Sequence, residues 1–153
     1  MTTQTSSRPR GRVRQVGKVF TALTISNRTD ETDVKRGRLS PDQLRSITLQ
    51  DVLVDTGAST LSLPMSMVER LGLSPSRQVE VQTANGISTA MIYDDAWLTV
   101  LGRSATFECI GLSDEAVPLL GVIPLEVLGL ELDLQQEILR ARPETGRDTH
   151  LSA

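Results

Sequence analysis

The nine residues from Val52 to Thr60, Val-Leu-Val-Asp-Thr-Gly-Ala-Ser-Thr, set a run of β-favouring apolar side chains directly before a carboxylate and then stop it in a turn. Val-Leu-Val suits a strand buried on both faces. Thr56-Gly57 ends that strand, so the core holds the backbone while the Asp55 side chain emerges at its end. Gly57 permits close approach or an unusual backbone angle, and small Ala58 leaves room beside the carboxylate. Thr56 and Ser59 carry hydroxyls that can bond neighbouring backbone groups and lock the loop. What such a segment specifies is the position of one acid. Turn chemistry alone would also choose Asp, Thr and Gly, so the segment has to be weighed with what surrounds it.

The surroundings are β-rich. From Val16 the pattern Val-Gly-Lys-Val-Phe-Thr-Ala-Leu-Thr-Ile-Ser alternates apolar and small polar residues. A polar stretch, Asn27 to Arg38, reads as a loop leading into a second extended run from about Leu44 to Val54. Pro64 and Gly72 bracket a short helix, since proline is tolerated at a helix start and glycine commonly follows its end. Asn85-Gly86 stands between two strand-like segments, a strong short-range hairpin signal of the type I′ kind. The long strand after it turns at Gly102-Arg103 and returns through Ala105–Leu112. A second short helix is expected between Pro124 and Gly129, then a hairpin in Leu130–Ala141. The two apolar runs that meet a glycine, at Val54–Gly57 and Leu119–Gly121, are each followed by a proline and a Leu-Gly-Leu ending. This faint echo suits approximate internal symmetry, and chance accounts for it equally well.

Composition removes several chemistries. The chain has 153 residues, enough for one domain, with 39% apolar residues and a formal net charge of -3. Its single histidine, His150, lies three residues from the end, a poor place for a general base, so Ser-His-Asp and Cys-His arrangements are disfavoured. One His and one Cys cannot build a Cys/His zinc site, and no phosphate-binding glycine loop is present; neither a metal nor a cofactor is expected. Cys109, in an alternating stretch, reads as a packed strand residue. Asp94-Asp95 reads as a solvated pair, because neighbours on a strand point to opposite faces. No apolar run reaches the ~20 residues of a membrane helix, and a cytoplasmic location is the default expectation. Residues 1–14, with Arg8, Arg10, Arg12 and Arg14, read as a disordered basic arm. Without interleaved aromatics in the arm, and with overall acidity, a nucleic-acid partner is disfavoured.

Leu53-Val54-Asp55-Thr56-Gly57-Ala58 resembles the active-site loop of retropepsin-like aspartic peptidases. Downstream, Thr83-Ala84-Asn85-Gly86 resembles the flap hairpin of small bacterial members, and Leu119-Leu120-Gly121 resembles the element before their C-terminal helix. Asp-Thr-Gly alone is a weak signal; the ordered set is far stronger. The resemblance implies a mostly β, closed barrel lobe over residues 15–142 with one or two short helices, followed by a polar tail at 143–153. It also implies a homodimer with no membrane partner, hydrolysing an extended peptide or protein substrate, in which two copies of Asp55 form the catalytic pair. The chain supplies only one Asp-Thr-Gly, and the mechanism needs two carboxylates. Thr56, Gly57 and Ala58 would support the loop, and Thr83, Ala84, Asn85 and Gly86 would close over substrate. A catalytically silent dimerisation or peptide-binding module is the alternative. Ala58 in place of a hydrogen-bonding Ser should leave the carboxylate pair titrating higher, giving activity at mildly acid or neutral pH. Ala58→Ser is then expected to lower the pH optimum; an unchanged optimum counts against that role.

Overall fold

The structure, a computed structural model, describes residues 18–144. The expected arm at 1–14, and the part of the expected tail beyond Glu144, lie outside the described residues. Nine strands and three α-helices, with a 3-10 turn at Pro41–Gln43, follow in the order β1 (Val19–Asn27), α1 (Arg28–Lys35), β2 (Ser46–Val54), β3 (Leu61–Pro64), α2 (Met65–Leu71), β4 (Ser74–Thr83), β5 (Gly86–Val100), β6 (Arg103–Leu112), β7 (Leu119–Leu120), α3 (Val122–Leu128), β8 (Leu130–Asp133) and β9 (Ile138–Ala141). Seven strands form one sheet in the order β1-β2-β7-β3-β6-β5-β4, and β1 pairs a second time, with β5, so the sheet returns on itself. Strands β8 and β9 form a separate hairpin.

The core fills the inside of this sheet. Ile25, Leu61, Leu63, Leu98 and Leu120 are fully buried, joined by Val68 and Leu71 of α2 and Leu125 and Leu128 of α3. Each such side chain contributes about 1.5–3 kcal/mol of transfer free energy. Cys109 is among them, and burial pushes its thiol up to about 12, so it is a packed, unreactive strand residue as the alternation indicates.

Helices α2 and α3 end where their glycines place them, but α3 begins at Val122, two residues before the expected Pro124. Each ends at a glycine in the left-handed region, Gly72 at φ 65° and Gly129 at φ 68°, and each is followed by a buried leucine, Leu73 and Leu130. The segment from Arg28 departs from expectation: it is a helix, not a loop. Its sequence, Arg-Thr-Asp-Glu-Thr-Asp-Val-Lys, has no apolar stripe, so periodicity gives no signal. Its ends hold it instead. The Asn27 side chain accepts from the Asp30 N–H at 3.0 Å, Asp30 and Glu31 sit in the first turn, and Lys35 sits in the last.

Asp30 also anchors the helix to the lobe. Its carboxylate accepts from the Arg45 backbone N–H at 3.0 Å, from Nε at 2.8 Å and from Nη2 at 3.0 Å. The Arg45 guanidinium holds the Asp30 carboxyl below its usual range. Asn27 Nδ2 donates to the Leu71 and Gly72 carbonyls, which ties the end of α2 to the same cluster.

Two hairpin turns also differ from expectation. Thr83 pairs with Gly86, so Ala84 and Asn85 are the central residues of the β4–β5 turn. Neither has positive φ, and a type I′ turn needs it at both positions; the left-handed angle falls at Gly86, with φ 106°. Conversely, Val100 pairs with Arg103, which puts the β5–β6 turn at Leu101-Gly102, one residue earlier than the sequence suggests. Both of these residues have positive φ, 51° and 80°, the type I′ signature carried by an unexpected leucine.

Candidate active site

Asp55 follows the last residue of β2, and the chain leaves its loop along β3. The short strand β7 runs between these two strands. It is parallel to β2 through Leu53–Leu119 and Val54–Leu120, and antiparallel to β3 through Leu61–Leu120 and Ser62–Leu119. A loop gripped at both ends by one buried strand has little freedom. The Asp55 N–H donates to the Leu120 carbonyl at 2.9 Å, and beyond β7 the Val122 and Ile123 N–H groups donate to the carbonyls of Ala58 and Ser59, each at 2.9 Å. The first turn of α3 thus spends two of its otherwise unpaired donors on the loop.

Within the loop, the Ala58 N–H donates to the Asp55 carbonyl at 3.0 Å and the Gly57 N–H donates to Asp55 Oδ1 at 2.9 Å. That second bond fixes the orientation of the carboxylate. A Cβ at Gly57 would approach Oδ1 to 3.2 Å, so glycine keeps the acid uncrowded. At Gly121 the demand is stricter: a Cβ there would lie 2.6 Å from both the nitrogen and the oxygen of Thr60 and 2.7 Å from the Ala58 carbonyl oxygen. Backbone against backbone leaves nothing to yield. Leu119-Leu120-Gly121 therefore does more than pack the core; its main chain sets the height of the loop.

The hydroxyls expected to lock the loop are not the ones that do. Thr56 and Ser59 are exposed, and neither hydroxyl has a hydrogen-bond partner among the described residues. The work falls to Thr60, whose buried Oγ1 donates to the Glu108 carbonyl of β6 at 2.9 Å. The Val-Leu-Val reading also shifts slightly: Val52 and Val54 are buried, whereas Leu53 is half-buried on the opposite face. Asp55 and Ala58 are half-buried and Gly57 is exposed, so the acid is presented at the surface of a rigid seat.

The other predicted residues form the tip of the β4–β5 hairpin. Thr83 Oγ1 donates to the Gly86 carbonyl at 2.7 Å and accepts from the Asn85 N–H at 3.2 Å, closing the tip on itself. Thr83, Ala84 and Asn85 are exposed, and Ile87 beside them is 68% exposed. Asp94 is half-buried and Asp95 exposed, in keeping with a solvated pair. A register shift between Tyr93 and Ala96 breaks the pleat there, and both residues line one cleft of about 300 Å³ with Arg45 and Ser74.

A family model described as "gag-polyprotein putative aspartyl protease" matches residues 45–122, which is half of the chain. The chain belongs to this retroviral-type aspartyl protease family. Its mostly β architecture is that of a retropepsin-like lobe. The matched span contains the Asp55 loop, the β4–β5 hairpin and Leu119–Gly121, and it stops before the β8–β9 hairpin. Among solved structures the chain is similar to EIAV protease complexed with the inhibitor HBY-793, with 21% identity and a TM-score of 0.49 over 76% of this chain and 92% of that one. No curated protein matches the sequence. No helix among the described residues is long and apolar enough to cross a membrane.

Sequence reasoning missed Gly121, Thr60 and the Asp30–Arg45 cluster as supports of this retropepsin-like lobe. Gly121 carries a readable signal, a glycine straight after an apolar strand. Thr60 carries none, because its partner is a backbone carbonyl 48 positions away.

Proposed function

We propose that the protein is an aspartic endopeptidase that works as a homodimer. The observation that carries this reading is the seat of Asp55: one carboxylate per chain, half-exposed, with its own backbone N–H bonded to the Leu120 carbonyl and its Oδ1 bonded by the Gly57 N–H. A rigidly held, accessible acid is what peptide hydrolysis by a carboxylate pair requires, and a second copy supplies the second acid.

In the dimer two Asp55 side chains meet across a two-fold axis. Like charges so close do not both ionise readily, so the pair holds one proton between them, the arrangement general to aspartic proteases. One carboxylate takes a proton from water as the water attacks the scissile carbonyl. The protonated partner polarises that carbonyl and then protonates the leaving nitrogen. The titration belongs to the pair. Thr56, exposed with a hydroxyl that no described residue engages, bonds across the axis and braces the two loops. Gly57 and Ala58 keep space beside the acids. Thr83, Ala84, Asn85 and Gly86 form the tip of a flap that closes over an extended peptide, excludes water and aligns the substrate by strand-like main-chain bonds. The lobe spans residues 15–142, flanked by the basic arm at 1–14 and the polar tail at 143–153.

The test is cleavage of a diverse peptide library between about pH 4 and 8 by the native protein and by Asp55→Asn, with solution mass recorded alongside. A dimer whose cleavage vanishes with Asp55→Asn supports the reading. A folded protein that cleaves nothing, or a stable monomer, overturns it.

A further inference from the structure

The hairpin of β4 and β5 has two parts. Ile92 and Tyr93 pair with both β4 and β6, and from Ala96 β5 pairs with β6 and β1, whereas Gly86–Met91 pair with β4 alone. The free part is a two-stranded arm, and such an arm has little stability of its own. Both strands are irregular where the arm leaves the sheet. On β4 the register shifts between Pro75 and Arg77; on β5 it shifts between Tyr93 and Ala96. Bulges bend strands and interrupt the ladder, so two of them at one level form a natural hinge.

One ion pair crosses that hinge. Arg77, the first regularly paired residue beyond the β4 bulge, reaches over β5 to Glu108 of β6, with Nη1 donating to Oε2 at 2.5 Å and Nη2 to Oε1 at 3.1 Å. The two-pronged geometry fixes direction as well as distance. Glu108 sits opposite the β5 bulge, between the paired positions Phe107 and Cys109. Its carbonyl also receives the Thr60 hydroxyl at the end of the Asp55 loop. Asp94 adds to the field on Arg77 from β5. The same residue of β6 therefore holds the hinge through its side chain and the acid-bearing loop through its backbone.

We propose that the Arg77–Glu108 pair is a hinge latch that sets the resting position of the β4–β5 arm relative to the Asp55 loop. Both are positioning residues. Their role in substrate capture rests on the peptidase reading above, but the latch itself does not. Both side chains are about half exposed, so the pair adds little to overall stability. Its leverage is on a local equilibrium that little else opposes.

The test is amide hydrogen exchange on the full chain and on Arg77→Met, Glu108→Gln and the reversed pair Arg77→Glu with Glu108→Arg. Glu108→Gln keeps the side-chain shape and the backbone carbonyl that holds Thr60. Amides of 78–82 and 87–91 are expected to exchange about two- to fivefold faster in each single variant, to return toward native rates in the reversed pair, and to lose their native protection in about 1 M salt. Amides of 96–100 should not change. In the active enzyme the single variants should raise KM by a similar factor with kcat unchanged. Unaltered exchange in the arm overturns the latch, as does acceleration spread evenly across β5 and β6. If the native protein cleaves no peptide, the exchange result still decides the latch; if it cleaves and exchange is unaltered, the latch alone fails.

Discussion

The Asp55 loop and the tip of the β4–β5 hairpin are both short, polar and largely exposed, yet they are held in opposite ways. The loop is gripped by other parts of the chain: β7 between its two strands, the first turn of α3 on its carbonyls, and β6 on Thr60. The hairpin tip is held by its own residues, chiefly the Thr83 hydroxyl, which bonds both Asn85 and Gly86. On the proposed reading, a group that must meet its twin across an axis gains from distant anchorage, because displacement then requires the core to move. A segment proposed to open and close gains from local bonds, which travel with it. The proposal thus assigns rigidity to one region and motion to the other.

The largest way to break that contrast is at Gly121. Gly121→Ala pushes a methyl into the backbone of Thr60 and Ala58, and it should cost about 2–3 kcal/mol and lower Tm by roughly 5–10 °C, with activity lost as the loop is displaced. Calorimetry checks it, and an unchanged Tm would show that the loop yields more than its bonding suggests. By contrast, a Cβ at Gly86 meets nothing, and there only the strained φ is at issue.

Next comes the Asp30–Arg45 cluster, which supports the lobe from the far end of β1. Hydrogen bonds from Arg45 lower the Asp30 pKa, so the pair stabilises the fold above the unfolded carboxylate value of about 3.9, and this contribution fades as pH falls through the lower folded value. Arg45→Met should destabilise by about 1–2 kcal/mol at neutral pH, the Arg45 side chain being half exposed, and should move acid unfolding to higher pH. Circular dichroism against pH reads this directly; coincident acid transitions would remove Asp30 from the account.

A smaller effect belongs to the hairpin. Thr83→Val deletes both bonds of the tip and should loosen residues 84–86 by about 0.5–1.5 kcal/mol in local exchange while Tm barely moves. A global loss would mean that the tip is tied into the lobe after all. Smallest is a gain: Leu101, half exposed with φ 51°, is better replaced by glycine, and Leu101→Gly should add about 0.5 kcal/mol or less by chemical denaturation. A loss there would show that the leucine side chain contributes packing that its exposure conceals.

The strands were legible because their side chains alternate against one continuous core, α2 because Pro64 and Gly72 bracket it, and the end of α3 because Gly129 stops it. Helix α1 was not, since a polar helix fixed by Asn27 and by the Asp30–Arg45 contact leaves no periodic trace. The hairpin turns misled for a related reason. Asn85-Gly86 fits a type I′ turn by residue type, but the Thr83 hydroxyl stabilises a turn centred one residue earlier, while Leu101-Gly102 adopts that conformation despite a residue that disfavours it. At the candidate site the acid and its glycine could be read directly. Gly121 is marked by the apolar run before it, but the supports at Thr60 and Glu108 depend on a pairing between segments tens of residues apart, and no local pattern encodes that.

If two chains share one catalytic pair, subunit mixing reveals it. Native protein and Asp55→Asn are unfolded together, refolded in varying ratio at fixed total concentration, and assayed for peptide cleavage. If each active unit needs two Asp55 residues, activity falls as the square of the native fraction, to about one quarter at equal mixing. Activity falling in simple proportion to the native fraction would mean that each chain works with its own acid, and the shared pair would be wrong.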